Sequence, residues 1–453
     1  MKEKEHHETK IMFREKAGLF VGSEASIVLY IVVSAYLMYY YSNVVGLNIG
    51  IVGTIIMASK VFDGISDIIF GRIIDRTCSR WGACRAWLLW DLVPLALSFV
   101  LLFTIPGTTG IAPYIYVFFS YNFYVTVCYT IQQAAAMSLP TFMSRDKNVV
   151  GVLFTCIYLG ISVFAFISST FTMSWVKMLG NDRSAWLKLA CILAVLSVIT
   201  QTIMVLTTKE RVSLQELTKD KKVSLSAILK SVACNKYWIM ATLIVSVGTC
   251  IQVSTMSTAA YFAQYILNDV SLTSLLIAGF SLPPIAAYLV VGPLLKKYSR
   301  RSLALALVAI GMAGQFTVLM AGTNLPVIVA GMAMRGIAYA PLILLSSAML
   351  SDSIEYGHWK TGVRSQAVLM SAKGIGEKIA TGLVSGAIGW IMNMAGFDGM
   401  AAVQSESALA SISVLVRIMP FLFFIIIGIT ASFYKLDKDL PRIMKDLEDR
   451  RSK

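Results

Sequence analysis

From Ile27 to Phe433 the chain is one apolar run after another, each close to the ~20 residues a helix needs to cross the hydrocarbon core of a bilayer, with short polar breaks between them. Of its 453 residues, 57% are apolar or aromatic and only 14% are charged, against roughly 25% charged in an ordinary soluble protein. So few charges could not coat a soluble globule of this length, and the bilayer is therefore the solvent. The residues before Gly18 are polar and carry His6, His7 and several charges, and no small-residue cleavage site follows a short isolated apolar run. The first apolar segment is expected to be retained as a helix.

Apolar runs read against polar breaks predict helices near 22–43, 46–72, 86–106, 111–138, 150–176, 184–207, 237–265, 271–295, 302–321, 325–350, 364–394 and 411–434. Cytoplasmic loops attract Lys and Arg, so the basic residues orient the chain. Of the 39 Lys and Arg, 31 lie in the two tails and the even-numbered loops, three at the break between the fifth and sixth helices, and five inside helices. This predicts an even number of spans with both termini in the cytoplasm. The longest basic break, from Thr207 to Lys236, divides the spans six and six. A weak repeat agrees: Gly71 with Arg80 after the second helix, and Gly292 with Arg301 after the eighth. The expected fold is an all-α membrane protein of twelve transmembrane helices in two six-helix halves, the major facilitator architecture. Its parts are a tail over 1–21, a half over 22–207, a linker over 208–236, a half over 237–434 and a tail over 435–453.

Ionisable side chains inside the apolar runs each cost at least about 2.5–3.5 kcal/mol unless paired or wetted, which makes them functional candidates. Lys60, Asp63 and Asp67 are the clearest set. At 100° per residue, Asp63 lies about 60° from Lys60 and Asp67 about 20° from it, so all three share one face. Two carboxylates on adjacent turns offer oxygen ligands to Na⁺, or share a proton when desolvated, and the lysine offsets part of their charge. The same residues can serve as a buried lock between helices. Lys373, Glu377 and Lys378 form a second cluster in the eleventh helix. Lys373 and Glu377 pair at i, i+4, leaving Lys378 turned about 100° away and able to face the second helix. Arg335 in the tenth helix suits a substrate anion or carbonyl, whereas Arg417, near an end of the twelfth, is expected to snorkel.

Helices one and four carry Tyr36, Tyr39, Tyr40, Tyr121, Asn122, Tyr129, Gln132 and Gln133. Amides and hydroxyls match sugar hydroxyls, and ring faces stack on sugar C–H faces; interfacial belting and helix packing explain the same residues taken singly. Tyr36, Asn122, Tyr129, Gln133 and Arg335 are the substrate-binding candidates. No Walker loop, H-E-x-x-H or G-x-S-x-G is present, and the histidines are His6, His7 and His358. Neither enzyme chemistry nor a cofactor is expected. The seven cysteines are scattered without a C-x-x-C pair and read as small core residues, so no metal is expected beyond a coupling Na⁺. The net charge of +14 belongs to the loops and does not call for nucleic acid.

The stretch from Lys60 through Asp63, Asp67 and Gly71 to Asp75, followed by Ser79-Arg80-Trp81-Gly82, closely resembles the glycoside–pentoside–hexuronide cation symporter family. A second motif runs from Asp352 through Glu355-Tyr356-Gly357 and Trp359 to Arg364, and a third from Leu37 through Tyr41 to Val45-Gly46-Leu47. The resemblance implies that Asp63 and Asp67 bind the coupling cation, with Thr130 as a nearby hydroxyl on the fourth helix. It implies that Lys60 is a basic neighbour and that Lys378 lies close to both the cation and sugar sites. It also makes Asp352, Glu355 and Arg364 part of a charged loop that helps close the cytoplasmic side. In the family's melibiose-carrying member, acidic residues of the first and fourth helices hold the sugar hydroxyls. The matching positions here are Ile27 and Gln133, and an arginine expected in the fifth helix has no counterpart. Gln133, Glu24 and Ser23 can replace part of that chemistry, but a galactoside does not follow.

The expected function is secondary active symport of a glycoside or related polar solute, driven by Na⁺ or H⁺, by a monomer in a bacterial cytoplasmic membrane. Cation and solute then raise each other's affinity by the same factor. Proton-driven efflux of an amphipathic compound is the alternative within the same architecture, and a non-transporting sensor or membrane enzyme is the alternative outside it.

Overall fold

The structure, a computed structural model, describes residues 11–451 apart from 75, 78, 108–109, 213–234, 288–293, 295–296, 362–365 and 402. Asp75, Cys78, Gly292 and Arg364 of the sequence motifs lie outside the described residues. In chain order the helices are α1 (Phe13–Tyr39), α2 (Ile49–Ile74), α3 (Cys84–Trp90), α4 (Leu92–Leu101), α5 (Ala112–Asn122), α6 (Thr130–Met143), α7 (Lys147–Met178) and α8 (Arg183–Thr207). They continue as α9 (Lys236–Tyr265), α10 (Thr273–Ser281), α11 (Arg300–Met320), α12 (Leu325–Thr361), α13 (Gln366–Met394), α14 (Glu406–Arg417), α15 (Met419–Phe433) and α16 (Leu436–Arg451). Among the described residues, nine helices are long and apolar enough to cross a membrane, and ten when α3 and α4, bent by 43°, are taken as one span. The other two predicted spans are helical as well. The fourth passes from α5 through a π-helical stretch, Phe123–Tyr129, into α6, and the eleventh, α13, carries Lys373, Glu377 and Lys378.

Several helices run past the predicted ends, because hydropathy marks where the bilayer stops and backbone hydrogen bonding does not stop there. α1 begins at Phe13, inside the predicted tail, where the Met12 N–H donates to Glu15 Oε2 at 2.9 Å. Glu15 is itself buried and lies 2.9 Å from Arg211 of the predicted linker. α12 extends to Thr361, so Asp352 and Glu355, expected in a loop, are helical. The predicted tail after 435 contains α16, which buries Leu436, Ile443 and Leu447.

The two predicted halves end alike. Just after α8, Glu210 accepts the backbone N–H groups of Ala83 and Arg85 at 2.8 and 2.7 Å, at the start of α3. Just after α15, Asp437 accepts the N–H of Arg301 at 2.9 Å, at the start of α11. In each case a carboxylate meets the positive end of the third span of its half. Gly82 makes the first contact possible: its φ is +102°, and a Cβ there would fall 2.5 Å from the Glu210 carboxyl carbon.

α2 and α13 meet through glycines. A Cβ on Gly389 would lie 2.6 Å from the Ile49 carbonyl and 3.0 Å from Gly53 Cα, and one on Gly382 would lie 2.8 Å from Lys60 Cβ. Small residues let membrane helices approach this closely, and the approach brings the charged clusters of the two helices together. At the end of the bundle remote from Phe13, α1 and its π continuation Tyr40–Val44 are tied to α9. Tyr39 Oη donates to Gln264 Oε1 at 2.5 Å, Asn43 Nδ2 to Tyr265 Oη at 2.6 Å, and Ser42 Oγ lies 2.8 Å from Tyr261 Oη. Asn48 Nδ2 donates to Asn393 Oδ1 at 2.7 Å between α2 and α13 at the same end.

Candidate functional site

Ser59, Lys60, Asp63, Ser66 and Asp67 occupy one side of α2, as the 3.6-residue repeat requires. Asp63 is 3% exposed and almost saturated. Its Oδ1 accepts from Lys378 Nζ at 2.7 Å and Thr130 Oγ1 at 3.2 Å, and its Oδ2 lies 3.3 Å from Lys60 Nζ. Ser66 Oγ donates to the Asp63 backbone carbonyl at 2.9 Å and stands 3.4 Å from Thr130 Oγ1. The carbonyl also accepts from Lys378 Nζ at 3.0 Å. Asp67 is different: its side chain is 46% exposed, and its Oδ2 lies 2.7 Å from the same Lys378 Nζ. The exposed apolar residues of this stretch, Val61, Phe62, Ile65, Ile68 and Ile69, lie about 100–160° around the helix from Asp67. Asp67 therefore opens away from the lipid-facing stripe, toward the interior.

Lys378 thus reaches across from α13 and places an ammonium among three oxygens of residues 63 and 67. Its charge and that of Lys60 balance the two aspartates. A monovalent cation that displaced the ammonium would find these oxygens already converged. The π stretch Phe123–Tyr129 ends one residue before Thr130; such wide turns occur often at functional sites, and this one faces the charged side of α2. Asn122 Nδ2 donates to Ser59 Oγ at 2.8 Å across the same interface.

Of the substrate candidates, Tyr129 and Gln133 lie next to this site and Asn122 two turns away. Tyr129 stacks on Tyr30 with ring centroids 4.7 Å apart and planes 14° from parallel, and Lys60 Nζ lies 5.8 Å from the Tyr30 centroid. Gln133 is half-buried one turn beyond. Tyr36 does not join them. It is fully buried and donates to the Ser169 carbonyl of α7 at 2.5 Å, so its hydroxyl is consumed in helix packing. Arg335 is also elsewhere. It is 1% exposed among the later helices, donating from Nη2 to Thr255 Oγ1, with Met332 Sδ 3.4 Å from Nη1 and the Phe280 ring 5.8 Å away. Arg417 reaches the carbonyl of Gly322 in the turn before α12, and α14 begins early enough, at Glu406, to place it well inside its span. Of the charged motif before α13, Asp352 is held by Arg300 of α11, at 2.8 Å from Nε and 3.0 Å from Nη2, and Glu355 lies 4.0 Å from His358 on its own helix.

Tyr30, Ser59, Ser66 and the pair Tyr339 Oη to Gln252 Oε1, 2.8 Å apart, were not singled out from sequence. Ser59 and Ser66 share a face with Asp63, so helical periodicity applied to polar as well as charged residues finds them. Tyr30 gave no such signal, because one tyrosine in an apolar run reads as core.

Residues 18–438 match the family described as MFS/sugar transport protein. The chain is 27% identical over 452 residues to the isoprimeverose transporter of Lactiplantibacillus pentosus, covering 98% of this chain and 93% of that protein. It is 23% identical to the putative glycoside/cation symporter YagG of Escherichia coli (strain K12), covering 94% and 93%. Among solved structures, a bacterial homologue of the lysosomal transporter Spinster, inward-facing and unoccupied, is similar with a TM-score of 0.68 at 13% identity, covering 95% of this chain and 97% of that one. That likeness bears on the fold alone. The family match runs over almost all the described helices, and the chain belongs to the MFS/sugar transport proteins, of the glycoside–pentoside–hexuronide type: it is a membrane transporter and not an enzyme.

Proposed function

We propose that this protein is a cation-coupled symporter of a glycoside or related sugar. The observation that carries the reading is the seat formed by Asp63, Asp67 and Thr130, with the Lys378 ammonium 2.7 Å from each carboxylate. Na⁺ or H⁺ binds there and releases Lys378 from its carboxylates. Because α2 and α13 belong to opposite halves, loosening that pair changes how the halves meet. The sugar occupies the interior beside Tyr129 and Gln133. Twelve spans in two six-helix halves, both termini in the cytoplasm and a monomer in a bacterial cytoplasmic membrane complete the proposal. With that orientation, the hydrogen bonds joining Tyr39, Ser42 and Asn43 to α9 close the outer end, so the interior opens inward.

The names of similar proteins agree in kind: one transports isoprimeverose and another is a putative glycoside/cation symporter. The test is sugar uptake into membrane vesicles with imposed Na⁺ or H⁺ gradients, in the native protein and in Asp63→Cys and Asp67→Cys. Uptake driven by one of the gradients, and lost in both variants, is expected. Unchanged ion dependence in both variants contradicts the assignment.

A further inference from the structure

The geometry points to a substrate-hydroxyl subsite on α13 and α9, made by the Glu377 carboxylate and Lys373 ammonium, which fixes which sugars this transporter accepts. The inference rests on the symport reading above. Lys373 Nζ and Glu377 Oε2 are 2.8 Å apart, and their side chains are 24% and 21% exposed. That exposure does not face lipid on the Glu377 side. The exposed apolar positions on the nearest turns of α13 are Ile379 and Leu383, about 160° and 120° around the helix from Glu377; Ile391, about 40° from it, lies almost four turns further along. One turn earlier, a Cβ on Gly374 would meet nothing within 4 Å among the described residues, which leaves space beside the pair. Lys378, the next residue, reaches Asp63 and Asp67. The pair therefore borders the same interior as the cation seat.

The neighbouring α9 adds two hydroxyls. A Cβ on Gly376 would lie 3.4 Å from Thr242 Cγ2 and 3.6 Å from Ser246 Oγ, and the side-chain oxygens of Thr242 and Ser246 are buried with no hydrogen-bond partner among the described residues. A carboxylate, an ammonium and two free hydroxyls within two helical turns match the alternating donors and acceptors of adjacent sugar hydroxyls. Asp63 has its oxygens committed to lysines and Thr130, whereas Glu377 has one lysine and partial access. It is the carboxylate on α13 that can accept from a sugar without giving up the cation seat. Its place beside Lys378 also gives a direct route for coupling, since a sugar that draws on the Glu377 turn acts on the turn that holds the displaced ammonium.

The test uses the purified full chain in proteoliposomes with isoprimeverose, lactose and methyl β-D-glucuronide as probes. Uptake KM and the cation concentration for half-maximal thermal stabilisation without sugar are measured for the native protein, Glu377→Gln and Glu377→Asp. Loss of one charged hydrogen bond raises KM about tenfold or more in Glu377→Gln, with partial recovery in Glu377→Asp and cation half-saturation changed less than about twofold. Native KM in Glu377→Gln overturns the subsite and leaves symport intact. A Glu377→Gln that loses cation stabilisation also overturns it, because the residue then belongs to the cation seat or to packing. If the native protein takes up none of the three sugars although a cation stabilises it, the sugar reading fails and the subsite with it.

Discussion

Asp63 and Asp67 look equivalent in sequence and are not equivalent in the structure, which gives a quantitative contrast. Asp63→Asn and Asp67→Asn each remove one negative charge from a seat where two aspartates balance Lys60 and Lys378. Either variant leaves the two ammonium groups in excess, so neither should bind a coupling cation. Their effects on folding stability should differ. Asp63 is 3% exposed and answers Lys378 at 2.7 Å, Thr130 at 3.2 Å and Lys60 at 3.3 Å. Breaking a buried pair from one side costs about 3–5 kcal/mol, because the partner charge is left buried and unpaired. The Asp67 side chain is 46% exposed and, among the described residues, is ion-paired with Lys378 only, a setting in which an ion pair is worth about 1 kcal/mol or less. The assay is unfolding of the purified protein in mixed micelles, with and without saturating Na⁺. A cation at 100 times its dissociation constant stabilises the native protein by about 2.7 kcal/mol, and that increment should vanish in both variants. Without Na⁺, Asp63→Asn should fall well below Asp67→Asn. Equal losses of stability, or a cation increment that survives in either variant, would refute the asymmetric seat.

Three further outcomes follow from named contacts. Thr130→Val keeps the shape and removes the donor to Asp63, so cation affinity should fall about fivefold, read as a shift in half-maximal thermal stabilisation. Gly389→Ala gains helix propensity of about 1 kcal/mol but drives a methyl to 2.6 Å from the Ile49 carbonyl. Overpacking of about 1–3 kcal/mol against rigid backbone should win, and unfolding in micelles should show net destabilisation. Glu210→Ala, which uncaps Ala83 and Arg85 at α3, should cost about 1–2 kcal/mol, and Asp437→Ala, which uncaps Arg301, about 1 kcal/mol, in the same unfolding assay.

The fold was legible because the bilayer imposes one solvent on every span, and a run of apolar residues reports that solvent directly. The helix ends were not, since Glu15 and Asp352 are polar residues that continue a helix past its apolar run, each paired with an arginine. The π stretch at Phe123–Tyr129 was invisible for a related reason: its hydrogen-bond register leaves no trace in hydropathy. The charged cluster proposed as the cation seat was half legible. Charges on α2 stand out against the membrane, and the turn of Lys378 away from the Lys373–Glu377 pair indicated that it could face α2. Which oxygens it reaches depends on the glycine contact between α2 and α13, a tertiary fact. Tyr36 and Arg335 show the limit of residue type as a guide: both have the right chemistry for a sugar, yet the Tyr36 hydroxyl is given to Ser169 of α7 and the Arg335 guanidinium lies among the later helices against Thr255.

Reconstituted co-flux tests the central claim most directly. Proteoliposomes holding the native protein would be given an inward gradient of the sugar they transport, with external ²²Na⁺ and an internal pH dye recorded together. The account predicts that the sugar gradient drives Na⁺ or H⁺ inward in fixed proportion to sugar, and that Asp63→Asn abolishes the ion movement. Sugar entry with neither ion moving, or ion movement in the opposite direction, would contradict it.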